Sequence, residues 1–208
     1  RINPDFVKAH YNLGIVYSEL DMNNEAIEAY KQTVRINPDN AKAHYNLGYA
    51  YSKLDMNNVA IEAYKQAIKI NPDYVDAHLN LGAAYSKLDM NNEAIEAYKQ
   101  AIKINPEHVE AYIGLGTAYC ILDMNKEAKD AYNQAIKINP DDEGAHLGLG
   151  IVYSVLDMNN EAIEAYMQAI KINPDYAYAY INLGTVYSDL GMNNEAIEAY
   201  KQAIKINP

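Results

Sequence analysis

The chain lacks most of what specialised chemistry requires. It has no tryptophan, one phenylalanine and one cysteine, so Cys120 cannot close an internal disulfide. The many asparagines include no Asn-x-Ser/Thr acceptor for glycans, and together these two absences favour a reducing, cytoplasmic setting. No apolar run approaches the ~18 residues of a membrane span, and the start shows no basic-then-apolar leader. Basic residues are scarce: 17 against 28 acidic, for a net charge of −11, which disfavours a phosphate backbone as main partner and favours a basic or neutral polypeptide. Half the residues are hydrophobic, enough to build a core rather than a disordered chain.

What is present is a repeat. Asn3-Pro4-Asp5 returns as Asn37-Pro38-Asp39, Asn71-Pro72-Asp73, Asn105-Pro106-Glu107, Asn139-Pro140-Asp141 and Asn173-Pro174-Asp175, always 34 positions on. Six copies, approximately 7–40, 41–74, 75–108, 109–142, 143–176 and 177–208, make residues 1–208 one array in which each unit buries its apolar face against its neighbours. Arg1-Ile2-Asn3-Pro4 matches Arg35-Ile36-Asn37-Pro38, and Ile206-Asn207-Pro208 stops where another copy would begin, as expected of a piece of a longer array.

Within one copy the apolar spacing predicts two helices. His10, Leu13, Gly14 and Tyr17 form one stripe between about Val7 and Leu20; Ala26, Ile27, Tyr30, Thr33 and Val34 form another between about Asn24 and Ile36. The joint is Asp21-Met22-Asn23-Asn24. Asp21 tolerates the left-handed conformation that ends a helix, and Gly191 stands there in the sixth copy. Asn23 is expected to cap the second helix, with Met22 stapled on Ile27. Pro38 stops that helix.

The pattern His10-x-x-Leu13-Gly14-x-x-Tyr17, Ala26-x-x-x-Tyr30, Pro38 resembles the tetratricopeptide repeat, with His or Tyr for its Trp and Tyr for its Phe. The resemblance implies an all-α, right-handed superhelix of six antiparallel helix pairs whose first helices line a concave groove. Ala43-His44-Tyr45-Asn46-Leu47-Gly48 is also similar to the superhelical repeats of O-linked N-acetylglucosamine transferase, whose inner asparagines hold polypeptide backbone.

Because the copies align, their variation locates the particular surface. The variable side of each first helix carries Lys8, Tyr11, Asn12, Ile15 and Glu19, then Lys42, Tyr45, Asn46, Tyr49 and Lys53, then Leu79, Asn80 and Lys87. It continues with Ile113, Gly114 and Ile121, with Leu147, Gly148 and Val155, and with Tyr178, Ile181 and Asn182. The face grades from Tyr and Lys to aliphatic. Gly114 and Gly148, replacing asparagine, are expected either to leave room for bulky ligand side chains or to mark a curve that packs its aliphatics on the next repeat. A carboxamide can pair with peptide N–H and C=O groups, so Asn12, Asn46, Asn80 and Asn182 either clamp a peptide or bridge adjacent repeats.

Other candidates reduce to structure. Neighbouring packed helices place His10, His44, His78 and His146 roughly 10 Å apart, too far for shared zinc ligation, so they are core residues. Asp21 to Glu25 lacks the glycine and glutamate of a calcium loop. Glu28, Lys31, Arg35, Glu62, Lys65 and Lys69 make a solvated outer face. Cys120 stands where the other copies have serine, with no base at catalytic spacing. No catalytic residue, metal or cofactor is expected. Tyr11, Tyr45, Leu79, Ile113, Leu147 and Ile181 replace the residues that would grip the acidic C terminus of a chaperone. The expected function is a protein- or peptide-binding scaffold, with a substrate-presenting segment of a glycosyltransferase-like enzyme or a self-assembly module as the alternatives. Apolar end faces are expected to associate head to tail.

Overall fold

The structure is a computed structural model that describes residues 4–207; Arg1-Ile2-Asn3 and Pro208 lie outside the described residues. These are all-α, without strands, and fall into two compact units, Arg1–Pro106 and Glu107–Pro208. The first holds α1 (Pro4–Glu19), α2 (Asn23–Ile36), α3 (Ala41–Lys53), α4 (Asn57–Ile70), α5 (Val75–Lys87) and α6 (Asn91–Ile104). The second holds α7 (Val109–Ile121), α8 (Asn125–Ile138), α9 (Glu143–Val155), α10 (Asn159–Ile172), α11 (Ala177–Asp189) and α12 (Asn193–Ile206). In each unit the chain packs as three antiparallel helix pairs. Successive pairs stack, and the first helices also approach one another, α3 with α5 and α9 with α7 and α11.

Each joint is built as the sequence requires. Asp21, Asp55, Asp89, Asp123 and Asp157 have φ of 54–57°, and Gly191 has 72°. The left-handed residue turns the chain so that Met22 N–H reaches back to Tyr17 C=O at 2.9 Å and Asp21 N–H to Ser18 C=O at 3.2 Å, satisfying carbonyls that the helix end would orphan. The cap expected at Asn23 is not made. Met22 holds the cap position with no side-chain bond, and Asn23, already helical, donates from Nδ2 to Asp21 C=O at 3.2 Å. Genuine side-chain caps occur at the first helices of two pairs, where Asn40 accepts from Ala43 N–H and Asp142 from Ala145 N–H.

Inside each pair a glycine admits a tyrosine ring. A Cβ on Gly14 would lie 2.5 Å from Tyr30, on Gly48 2.7 Å from Tyr64, and on Gly150 2.5 Å from Tyr166. The two helices can therefore cross closely over the ring, and Tyr30, Tyr64 and Tyr166 are each 1% exposed. Of the histidines expected in the core only His78 is buried, while His10, His44 and His146 are half-buried, and three of the four make the same bond. Nε2 of His44, His78 and His146 each donates to the carbonyl of Pro38, Pro72 and Pro140 at 2.9 Å, tying the first helix to the proline that ended the preceding one. A carbonyl only accepts, so the proton sits on Nε2.

Candidate functional site: the first-helix face

In the first unit, tyrosines and asparagines of successive first helices interlock. Asn46 Nδ2 donates to Tyr11 Oη at 3.2 Å, and Asn80 Nδ2 to Tyr45 Oη at 2.9 Å, each bond spanning neighbouring repeats. Tyr45 also packs against Tyr74, ring centroids 4.9 Å apart, and against Tyr64 at 5.9 Å; Tyr11 packs against Tyr30 at 6.0 Å. Burial pushes the phenols of Tyr45 and Tyr74 up to about 12, so both stay protonated well above physiological pH. Tyr49 is 40% exposed, with Lys53 Nζ 5.2 Å above its ring.

Between α1 and α3 these side chains enclose a cavity of about 350 Å³, walled by Ile15, Ser18, Glu19, Tyr45, Asn46 and Tyr49. The room suits one or two guest side chains. Tyr30 closes its floor and shares a hydrogen bond with Ser18 Oγ at 3.3 Å. Lys8, Asn12, Lys42 and Lys87 are exposed, and Leu79 is half-buried. Lys87 reaches Asp55 of the preceding repeat at 3.3 Å.

The second unit is arranged differently. Gly148 opens no room for a ligand: a Cβ there would lie 2.4 Å from the ring of Tyr132, which already fills the space. The Tyr132 hydroxyl pairs with Thr117 Oγ1 at 3.0 Å, as Tyr200 does with Thr185 at 3.3 Å, and Cys120 stands beside it where Ser18 meets Tyr30 in the first repeat. Burial raises both the Cys120 thiol and the Tyr132 phenol. Asn182 turns inward on its own helix and donates to Tyr178 C=O at 2.8 Å. Its counterpart partner would be residue 147, a leucine without a hydroxyl. Ile113 and Leu147 are half-buried, whereas Ile121, Val155, Tyr178 and Ile181 are exposed. Among the described residues no group of His, Cys, Asp or Glu could hold a metal ion, and no helix is long and apolar enough to cross a membrane.

Models of the TPR repeat match residues 22–55, 57–89 and 158–191, and tetratricopeptide repeat models match 75–108, 109–142 and 177–208. The chain belongs to the tetratricopeptide repeat family. Among solved structures it is similar to MamA, with 33% identity over 77% of this chain and 94% of that one, and a TM-score of 0.70. A tetratricopeptide repeat protein from Parabacteroides merdae aligns over 98% of this chain and 81% of its own at TM-score 0.86 and 19% identity. YrrB, described as a TPR protein with an unusual peptide-binding site, aligns over 88% and 94% at TM-score 0.69 and 24% identity, a likeness of fold. No curated protein sequence matches the chain.

Proposed function

We propose that this protein is a non-catalytic scaffold that holds an extended polypeptide segment against the first-helix face of residues 4–106. The observation that carries this reading is the orientation of Asn46 and Asn80. Their amide nitrogens are committed to Tyr11 and Tyr45, which fixes each carboxamide and leaves Oδ1 as an acceptor for a guest N–H, that of Asn46 at the wall of the Tyr45–Tyr49 cavity. Bridging repeats and binding peptide are then two uses of one side chain. The preformed rings lose little entropy on binding, and the net charge of −11 favours basic or neutral guests.

The test selects binders from a displayed library of random peptides and measures their affinity for the Tyr49→Ser and Asn46→Ala variants. A loss of at least about fivefold in each, with the fold retained, supports the reading. Selected peptides indifferent to both substitutions overturn it.

A second association is favoured by the end faces. Ala177, Tyr178, Ile181, Tyr200, Ala203 and Ile204 border an apolar hollow of about 430 Å³, and Leu13, Tyr17 and Ala29 border one of about 480 Å³ whose rim carries Glu25 and Glu28. We infer that the 208-residue chain joins head to tail through these faces at high concentration. Ile204→Glu should leave sedimentation strictly monomeric; unchanged association would exclude this contact.

A further inference from the structure

The second helices of the first unit enclose a site that peptide binding on the first-helix face does not use. Between α4 and α6 lies a cavity of about 590 Å³. Its floor is apolar: Ile68 from α4, Leu81 and Tyr85 from α5, and Ala97 from α6. Leu81 and Tyr85 lie on the side of α5 away from Asn80, the residue that meets Tyr45, so the two sites use different faces of one helix. The banks are oppositely charged. Lys65 and Lys69 stand along α4, Glu93 and Glu96 along α6. Lys65 leans over the floor, its Nζ 5.8 Å from the Tyr85 ring and 3.1 Å from Glu62.

The repeats supply their own controls. One repeat earlier, Val59 replaces Glu93 and removes a carboxylate from the acidic bank. In the second unit the corresponding cavity, about 510 Å³, is bordered by Glu161, Glu164 and Met167, with no lysine among its lining residues. The counterparts keep fewer of these charges, Glu62 alone facing Lys31 and Arg35 one repeat earlier and Asn133 standing in the place of Lys65 beside Lys137 in the second unit, so the α4–α6 furrow carries two charges on each bank over its apolar floor. A general hydrophobic surface would not need that arrangement, and a small anion or cation would meet one bank but be repelled by the other.

We propose that the α4–α6 furrow docks an amphipathic helix of a partner protein, apolar on the side facing Leu81 and Tyr85, acidic on the flank beside Lys65 and Lys69, and basic on the flank beside Glu93 and Glu96. The banks are helices of 14 residues, about 21 Å long at 1.5 Å per residue, so a partner helix of three turns is matched in length by both banks. Its leucine-sized anchors at i and i+4 enter the cavity, as in other helix-in-groove complexes. The flanking charges select the partner more than they tighten it.

The test uses three fluorescent, side-chain-stapled helical peptides, each as long as α4, with leucines at i and i+4. One carries Glu on one flank and Lys on the other, one Lys on both, one Glu on both. Anisotropy titrations of the 208-residue chain should show the mixed peptide binding at least about tenfold more tightly than either uniform peptide. The Lys65→Glu/Lys69→Glu variant, altered at exposed positions and checked by circular dichroism, should make the all-Lys peptide the tightest. Tyr49→Ser should leave every affinity in this series unchanged, which separates this site from the first-helix face. Equal affinities for the three peptides, no binding of any, or an unchanged order in the charge variant would each overturn the proposal.

Discussion

The two units are written in the same 34-residue code and tie their repeats together by different means. In the first, a tyrosine hydroxyl at one repeat accepts from an asparagine of the next, twice in succession. In the second, Gly148 gives way to the ring of Tyr132, and Asn182, facing Leu147 instead of a tyrosine, falls back on its own helix. The backbone plan is unchanged. What changes is whether neighbouring repeats are joined by a directional polar bridge, which leaves an oxygen exposed to a guest, or by packed carbon, which does not. A single pair of positions, five and six of each repeat, thus decides which kind of contact joins neighbouring repeats.

High pH should erase the distinction by unfolding the chain. Burial raises the phenols of Tyr45, Tyr74 and Tyr166 from 10.0 to about 12, and those of Tyr64 and Tyr132 still further. An acid whose folded pKa is raised binds its proton more firmly when folded, so the stability it contributes is complete below about pH 10 and drains away as pH climbs through 12. Tyrosinate absorbance should rise together with the loss of helical ellipticity, and with a steeper pH dependence than free tyrosine. Tyrosinate appearing near pH 10 in a chain that stays helical would show that the phenols are not buried.

Restoring the missing asparagine should break the second unit's arrangement. Gly148→Asn places a Cβ within 2.4 Å of Tyr132, and overpacking of this kind costs about 1–3 kcal/mol. Urea midpoints measure the loss, and Tyr132→Leu in the same chain should recover part of it because the colliding ring is gone. Additive losses would mean that the ring and the glycine are not in contact. The reciprocal change, Asn46→Gly, costs about 0.5–1 kcal/mol for the flexible residue, plus the lost bridge.

How much of this was readable in the sequence depends on how local the cause is. The period, the helix pairs, the left-handed Asp21 with Gly191 in its place, and the proline stops are backbone constraints repeated in every copy, and each is legible. The capping residue was not: Asn23 has the right chemistry but lies one residue too far inside, because the left-handed turn at Asp21 sets the register. The partner of Asn46 was open between a ligand and a neighbouring repeat, since the choice rests on a hydroxyl 35 positions away. Tyr11 and Tyr45, each one repeat and one residue before an asparagine, are the sequence signal of the bridge. Gly148 misled because a vacancy in sequence is not a vacancy in space. In sequence the α4–α6 furrow is a solvated face, for Lys65 and Glu62 do pair at helical spacing; that the charges border an apolar floor needs three helices in place.

The finest comparison concerns the bridges themselves. Tyr11→Phe and Tyr45→Phe each delete only a hydroxyl, so Asn46 and Asn80 lose an acceptor while the ring contacts remain. Net hydrogen bonds contribute about 0.5–1.5 kcal/mol, and because both asparagines are half-buried and can turn to water, the lower part of that range is expected for each, near additivity in the double variant. Asn182→Ala is the control from the second unit: its amide bonds a carbonyl of its own helix, alanine is the better helix former, and stability should shift by no more than about 0.5 kcal/mol. Peptide affinity sharpens the test. In Tyr11→Phe the carboxamide of Asn46 is released from its fixed orientation, so binding should weaken although no group that touches the peptide has been removed. Undiminished affinity there, beside a clear loss in Asn46→Ala, would show that the bridge orders the repeats without preparing the site.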